Sequence, residues 1–136
     1  MKSLLIWLAI ATVTCTTGAG AYHGYLEASP RLVLIVLDSS YEMRAQLNAG
    51  KRLAEQLGTK RYARFALYSE KARVHGWTDK ISAARLSSYG PRSLQGLISG
   101  QLGPEFSEAD ELHLITNAPA TALAELDSAW IVHHLE

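Results

Sequence analysis

The chain has 136 residues, with 13 Lys or Arg and 13 Asp or Glu, so its formal net charge is zero. A neutral chain offers no bulk field for nucleic acid, which we exclude as a partner. The single cysteine, Cys15, excludes an internal disulfide, and no Cys/His grouping has the spacing of a zinc site. The length suffices for one domain plus a targeting segment.

Charge is spread unevenly along the chain. All 13 basic residues lie before Ser93, whereas residues 93–136 carry seven Asp or Glu and no Lys or Arg. Two interpretations stay open. The domain has two differently charged faces of no special function, or a dipolar surface orients it against a partner or a membrane.

The amino-terminal segment, residues 1–26, is predicted to be a transmembrane helix that acts as an uncleaved signal anchor. After Lys2, the 24 residues Ser3–Leu26 carry no charge, and a bilayer span needs roughly 20. The basic start keeps the amino terminus in the cytoplasm. We therefore expect a single-pass membrane protein whose carboxyl-terminal domain is exported to the periplasm or the cell exterior.

Two alternatives to the anchor stay open. Ala19-Gly20-Ala21 resembles a cleavage site, so residues 1–21 are alternatively a cleavable signal peptide and the mature chain begins near Tyr22. Lipidation at Cys15 is a further alternative.

Residues 27–30 are predicted to be a linker, and residues 31–136 a single domain. The domain begins with the apolar run Leu32–Leu37, which is typical of a strand covered on both faces. Asp38 follows at the carboxyl end of that strand, where α/β sheets place their ligands.

The rest of the domain is predicted to alternate helices and strands. Residues 62–68 and 72–77 form an antiparallel hairpin, further strands cover 112–116 and 129–135, and helices cover 40–57, 79–86, 93–102 and 120–126, with an acidic loop at 105–111. This order predicts an α/β, Rossmann-like fold: a mostly parallel sheet with one antiparallel hairpin strand and helices on both faces.

Three stretches in combination resemble the von Willebrand factor type A domain family: LVLIVLDSSYEM, YARFALYSEKARVHGWTDK and LHLITNAPA. In that family the first strand ends in Asp-x-Ser-x-Ser before a helix, a hairpin follows, and a later strand ends in Leu-Ile-Thr-Asp-Gly. The resemblance covers about residues 31–136.

Family members commonly bind a divalent cation at a metal-ion-dependent adhesion site, which grips a partner's carboxylate. The resemblance aligns Asp38 and Ser40 with the first two ligands, Glu42 with a serine, Ser93 with a threonine, and Asn117 with the last aspartate. Three of the five positions are changed, and a lost carboxylate weakens a Mg²⁺ site. We therefore expect no bound metal; those five residues are the candidates if Mg²⁺ binds.

Arg92, which precedes Ser93, offers an alternative to a bound metal ion. Its guanidinium is predicted to form a salt bridge with Asp38 or Glu42 in place of the ion. In a simpler interpretation, Asp38, Ser40 and Asn117 only satisfy loop amides and helix ends.

The expected function is non-enzymatic: a membrane-anchored interaction module, an accessory or assembly subunit whose protein partners belong to a larger membrane complex. Residues 3–26 contact the membrane, and no cofactor is expected. Family members usually carry a further strand and helix after the segment that corresponds to 129–135. We therefore expect an uncovered sheet edge, which a partner can cover. The alternative function is a metal-dependent adhesion module.

A remote alternative is a serine hydrolase that uses Ser39, Ser40 or Ser69 with His75 or His113 as base. No Gly-x-Ser-x-Gly motif surrounds these serines and no glycine-rich phosphate loop is present, so no catalytic residue is predicted.

A basic concentration lies near the predicted hairpin. It consists of Lys60, Arg61, Arg64, Lys71 and Arg73. These residues form a solvated face or, alternatively, a contact for anionic lipid or an acidic partner.

Overall fold

A computed structural model of the chain describes residues 2–136, which divide into two compact units, one ending at Pro30 and the other beginning at Arg31. The first unit contains the helix α1 (Lys2–Ala28). At 27 residues, α1 is about 40 Å long, compared with about 30 Å for a bilayer core. Its segment Ser3–Ala28 is long and apolar enough to cross a membrane, and a signal sequence would have the same features.

The threonine hydroxyls within α1 form hydrogen bonds to the helix itself. The hydroxyls of Thr12, Thr14 and Thr17 donate to carbonyl oxygens one turn earlier, each at 2.8 Å. Thr16 donates in the same way at 2.9 Å. A bilayer core contains no water to bind free hydroxyls, so this pattern is compatible with a lipid-exposed span.

Residues 31–136 contain one five-stranded sheet. Its strands are β1 (Arg31–Leu37), β2 (Ala63–Ser69), β3 (Arg73–Thr78), β4 (Glu111–Thr116) and β5 (Trp130–His134). The order is β3-β2-β1-β4-β5; β3 pairs antiparallel with β2, and all other pairs are parallel. The predicted mostly parallel sheet with one antiparallel hairpin strand is confirmed.

Helical segments lie on both sides of this sheet. Within residues 31–136 they are a 3₁₀ turn (Tyr41–Met43), α2 (Leu47–Leu57), α3 (Gln95–Ile98) and α4 (Glu105–Glu108). Successive side chains of a strand point to opposite faces. Val33, Ile35 and Leu37 of β1 pack with α2, whereas Leu34 and Val36 pack with α3 and α4. Since both faces are covered, β1 is buried as its apolar run predicts.

Two predicted helices are wrong. Residues 79–86 are irregular because they lie along α2, where Ala83 donates its backbone N–H to Glu55 Oε1 at 3.2 Å. Residues 120–126 form successive turns, such as the bond from Ala122 N–H to the Pro119 carbonyl at 2.9 Å. In the first segment tertiary contact overrides helix propensity.

Other helix boundaries shift. The helix predicted over 93–102 shortens to α3, after which Gly100 adopts a left-handed φ of 64° that ends a helix. The helix predicted over 40–57 divides into the 3₁₀ turn and α2, and the predicted loop 105–111 contains α4. α1 continues to Ala28, two residues into the predicted linker.

A histidine pair joins the edge strand β5 to β4. His133 and His113 stack with ring centroids 5.2 Å apart, and their Nε2 and Nδ1 atoms are 2.9 Å apart. The other nitrogen of His113 lies 3.1 Å from Glu111 Oε2, which also binds Lys60. Burial, followed by the charges of His113 and Lys60, lowers the pKa of His133 from its usual 6.5.

The low pKa of His133 predicts that acid weakens the domain. His133 binds a proton more readily in the unfolded chain than in the folded one. The stabilisation that neutral His133 gives to the folded domain is therefore complete above pH 6.5 and is lost as the pH falls below that value. We expect His133→Gln to flatten the pH dependence of the free energy of unfolding, measured by urea titration of the full chain in detergent with tryptophan fluorescence. His134→Gln, at an exposed neighbour on the same strand, is the control. Equal pH dependence in wild type and His133→Gln would contradict this assignment.

Candidate functional site

Buried polar residues meet where three neighbouring strands end. β1 is parallel to β2 and β4 and in register with both, so the residues that follow or end these strands lie side by side. They are Asp38 after β1, Glu70 after β2 and Thr116 at the end of β4. Asp38 and Thr116 are 0% exposed and Glu70 is 1% exposed.

The Asp38 carboxylate is bound by three chain segments. Its Oδ1 accepts the Ser40 backbone N–H at 2.9 Å, and its Oδ2 accepts the Thr116 hydroxyl at 2.6 Å. Arg92 Nε donates to the same Oδ2 at 2.8 Å, and the Arg92 side chain is only 14% exposed. The predicted salt bridge between Arg92 and Asp38 is confirmed.

Arg92 also binds the end of β4. Its Nη2 donates to Asn117 Oδ1, and the Asn117 amide in turn donates to the Glu42 carbonyl at 2.9 Å and to Gln46 Oε1 at 3.2 Å. The Arg92 guanidinium therefore connects the strand ends to the start of the α2 region. We call Asp38, Arg92, Thr116 and Asn117 the Asp38–Arg92 cluster.

Hydrogen bonds keep the cluster charged. Burial alone would raise the pKa of Asp38, but bonds from Ser40, Thr116 and Arg92 outweigh it and hold that pKa below the usual 3.8. Glu42 lies at the exposed rim of the cluster. Its pKa is lowered by hydrogen bonds from its own backbone N–H and from the Ser40 side chain, and by the charge of Arg92. Asp38 is thus an ionised, buried group whose counter-charge is the Arg92 guanidinium.

A second buried carboxylate, Glu70, fixes the adjoining loop. Its Oε2 accepts both the backbone N–H and the hydroxyl of Ser39, at 2.7 and 2.9 Å, and its Oε1 pairs with Lys71 Nζ at 2.8 Å. Lys71 also lies over the Tyr89 ring, 4.4 Å from its centroid. In the sequence, Glu70 lies between the predicted hairpin strands 62–68 and 72–77, a position that does not by itself indicate this role. Its position directly after a strand parallel to β1 is the signal that could have found it.

The structure brings most of the predicted metal candidates together. Asp38 and Asn117 belong to the cluster, and the buried Ser40 hydroxyl lies near the carboxylates of Asp38 and Glu42. Ser93 is separate: it is exposed and lines an open cleft of about 350 Å³ beside Arg92.

Thr116 is a hydrogen-bond partner of Asp38 that the sequence alone does not single out. It ends β4 next to the end of β1, and its hydroxyl makes the shortest bond that Asp38 accepts, 2.6 Å. In the resemblance to the type A family, LHLIT matches a strand end, and Asn117 is the residue aligned with a ligand. The parallel pairing of β4 with β1 places both residues beside Asp38.

These residues do not fit a divalent cation. Both carboxylate oxygens of Asp38 already accept bonds, and the guanidinium that lies 2.8 Å from one of them would repel an ion placed there. Within residues 2–136, no three His, Cys, Asp or Glu side chains are grouped so as to hold a metal.

The serine hydrolase alternative finds no geometric support. Ser39 donates to Glu70, and Ser69 donates to a backbone carbonyl. His75 contacts a backbone carbonyl, and His113 contacts Glu111 and a neighbouring imidazole. The partners of Ser39 and Ser69 and those of the two histidines therefore do not include one another.

The chain matches no protein-family model, no curated protein and no solved structure.

Loss of the Arg92 charge should destabilise the domain. Arg92→Gln leaves the buried Asp38 charge without its partner, and we expect the free energy of unfolding to fall by about 3 kcal/mol at neutral pH. The pKa of Asp38 lies below 3.8 in the folded chain, so this stabilisation exists above pH 3.8 and disappears as the pH falls through the folded pKa. Urea titration at neutral and acidic pH measures both effects.

The matched control is Arg31→Gln, which removes an arginine whose side chain is 65% exposed and paired with Glu111. That change should lower the free energy of unfolding by less than about 1 kcal/mol. An Arg92→Gln variant no less stable than Arg31→Gln would contradict the importance of the buried pair.

Proposed function

We propose that the chain is a non-enzymatic, membrane-anchored protein–protein interaction module with a type A-like, Rossmann-like domain, and that it serves as an accessory or assembly subunit of a larger membrane complex. One observation carries the proposal: the Arg92 guanidinium lies against Asp38 and Asn117, at the place where the resemblance to the type A family puts the cation. A site closed by its own arginine has no open position through which an ion could grip a partner's carboxylate.

The sheet supports the type A resemblance. The apolar strand β1 lies at the centre of the sheet, the β2–β3 hairpin is antiparallel, and Thr116-Asn117 lies beside Asp38. These positions of the three quoted stretches support the proposed resemblance.

Rigid loops around the cluster favour a docking scaffold over a mobile ion site. Tyr89 donates its backbone N–H to the Ser39 carbonyl at 2.8 Å, and Tyr41 donates to the Gly90 carbonyl at 2.9 Å. The Ser88 hydroxyl donates to the Ser40 carbonyl at 2.8 Å. Loops held on a rigid sheet commonly carry recognition.

The absence of a metal requirement can be tested by calorimetry. We expect the full chain in detergent to show no Mg²⁺ or Mn²⁺ binding at micromolar concentrations, because Arg92 supplies the positive charge that Asp38 needs. Asp38→Ala is the control and should give the same trace. Micromolar binding that Asp38→Ala abolishes would instead support the metal-dependent adhesion alternative.

The proposed topology has α1 in the membrane and residues 31–136 on the exported side. Support comes from the length of α1, the internal bonds of its threonine hydroxyls and the basic residue Lys2 at its start. In this topology the anchor is not cleaved.

The strand β5 is the proposed contact for a protein partner. It pairs with β4 on one side only. Ile131 is 47% exposed and Val132 is 38% exposed, and neighbouring residues of a strand point to opposite faces. An apolar, unpaired edge tends to aggregate unless a partner covers it.

We expect Ile131→Lys/Val132→Lys to remove co-purifying proteins when the chain is isolated gently from its native membranes. Charged side chains on an edge strand oppose strand addition and apolar docking. Ala124→Lys/Ser128→Lys is the control, because it changes the charge equally at exposed positions outside β5. Recovery of the wild-type chain alone, soluble and beginning at Tyr22, would contradict both the anchor and the docking proposals.

A further inference from the structure

Basic side chains collect on the outer side of α2. This helix buries Leu47, Gly50 and Ala54 against the sheet, which turns Lys51 and Arg52 toward solvent. Arg52 is exposed and Lys51 is partly exposed. The exposed Arg44 lies three residues before the helix begins.

The irregular segment 79–86 adds two more charges to this surface. Lys51 Nζ donates to the Ala84 carbonyl at 3.5 Å, so the exposed Arg85 lies alongside the helix. At the carboxyl end of α2, Ile81 packs closely on Gly58, because a Cβ added to Gly58 would lie 3.1 Å from Cβ of Ile81. We name the surface the basic face; it consists of Arg44, Lys51, Arg52, Lys80 and Arg85.

The charges of the basic face are not neutralised internally. In the part of the chain that the structure describes, none of its five residues forms a salt bridge. The nearby Glu55 uses one carboxylate oxygen to accept a backbone N–H. This surface therefore keeps a net positive charge that is available to a partner.

The basic concentration near the hairpin behaves differently. Its residues form ion pairs from Lys60 to Glu111, Arg64 to Asp79, Lys71 to Glu70 and Arg73 to Glu105. Arg61 lies over the Tyr62 ring, 5.1 Å from its centroid. Since most of these charges have acidic partners within the domain, this region is the weaker candidate for an anionic ligand.

The composition of the basic face favours lipid headgroups over a protein. Protein interfaces are depleted in lysine and depend on buried aromatic or apolar anchors. The large apolar side chains exposed in residues 31–136 are Tyr41, Tyr89, Ile131 and Val132, and none of them belongs to α2 or to residues 79–86. A surface that offers charge without such anchors fits a plane of phosphates.

We propose that the basic face contacts the anionic phospholipid headgroups of the bilayer that α1 spans. This inference rests on the proposed membrane anchor. Only Ser29 and Pro30 separate α1 from β1, so the chain itself keeps the domain within reach of the headgroups. The part of the chain without basic residues, 93–136, carries seven acidic residues, is repelled by the same surface and stays available to the protein partner.

Energy transfer between the domain and labelled lipids tests this orientation. The full chain, with Cys15→Ser and a donor fluorophore on Gln56→Cys of α2, is reconstituted into bilayer discs that carry acceptor lipids. One set of discs contains phosphatidylcholine alone, and the other contains one third phosphatidylglycerol. We expect stronger transfer in the anionic discs, and we expect high salt to remove the difference, since the screening length falls to about 3 Å at 1 M.

Charge variants identify the surface responsible. Arg52→Gln/Arg85→Gln should lower the equilibrium constant for the contacting orientation about 30-fold, which is about fivefold per charge. Arg31→Gln/Arg64→Gln changes the net charge equally, but both arginines are internally paired, so this control should keep the transfer of the wild type.

Each result decides between the proposals. A chain that fails to float with the discs contradicts the membrane anchor and the lipid contact together. A chain that inserts but shows equal transfer in both lipid mixtures, or equal losses in the two variants, overturns the lipid contact and leaves the anchor intact. Binding of the basic face to poly-glutamate, without a response to phosphatidylglycerol, would assign it to an acidic protein and would also overturn the proposal.

Discussion

The site depends on one electrostatic constraint: Asp38 has no exposed surface and remains ionised. A buried charge is tolerated only when it is paired and hydrogen-bonded. Arg92, Thr116 and the Ser40 amide meet that requirement from three separate segments. The position of the loop that carries Arg92 therefore follows from the need to neutralise the end of β1.

The same constraint explains how the basic residues are divided. Glu70 and Glu105 are buried acids like Asp38, and they are paired with Lys71 and Arg73. Glu105 also accepts the hydroxyl of Tyr68 at 2.6 Å; burial and this contact raise the pKa of Tyr68 to about 12. The basic residues close to the sheet thus neutralise its buried acids, whereas those on the outer side of α2 face solvent. The proposed lipid and protein contacts on different surfaces follow from this division.

Pattern in the sequence predicts the sheet well and the irregular segments poorly. The apolar residues of β1 and of most of β2 are strong signals, because burial on both faces fixes the residue types. The segment 79–86 has helix-forming residues, but contacts with Glu55 and Lys51 hold it irregular. Such contacts join residues distant in sequence, so local propensity does not contain them.

The candidate site, too, could be predicted only in part from the sequence. Asp38 and its salt bridge with Arg92 follow from the order of strand, loop and base, whereas Glu70 and Thr116 appear only once β2 and β4 are placed on either side of β1. Ser93 was aligned with a ligand by sequence order alone, and the loop turns it outward. The proposed function therefore rests more on Arg92 than on the aligned ligands.

The most direct test of an internally closed site is an NMR pH titration of the Asp38 side-chain carboxyl in the full chain, with and without excess Mg²⁺. The structure predicts a pKa below 3.8 that Mg²⁺ does not change, because Arg92 already supplies the counter-charge. A pKa at or above 3.8, or one that falls when Mg²⁺ is added, would contradict the closed site.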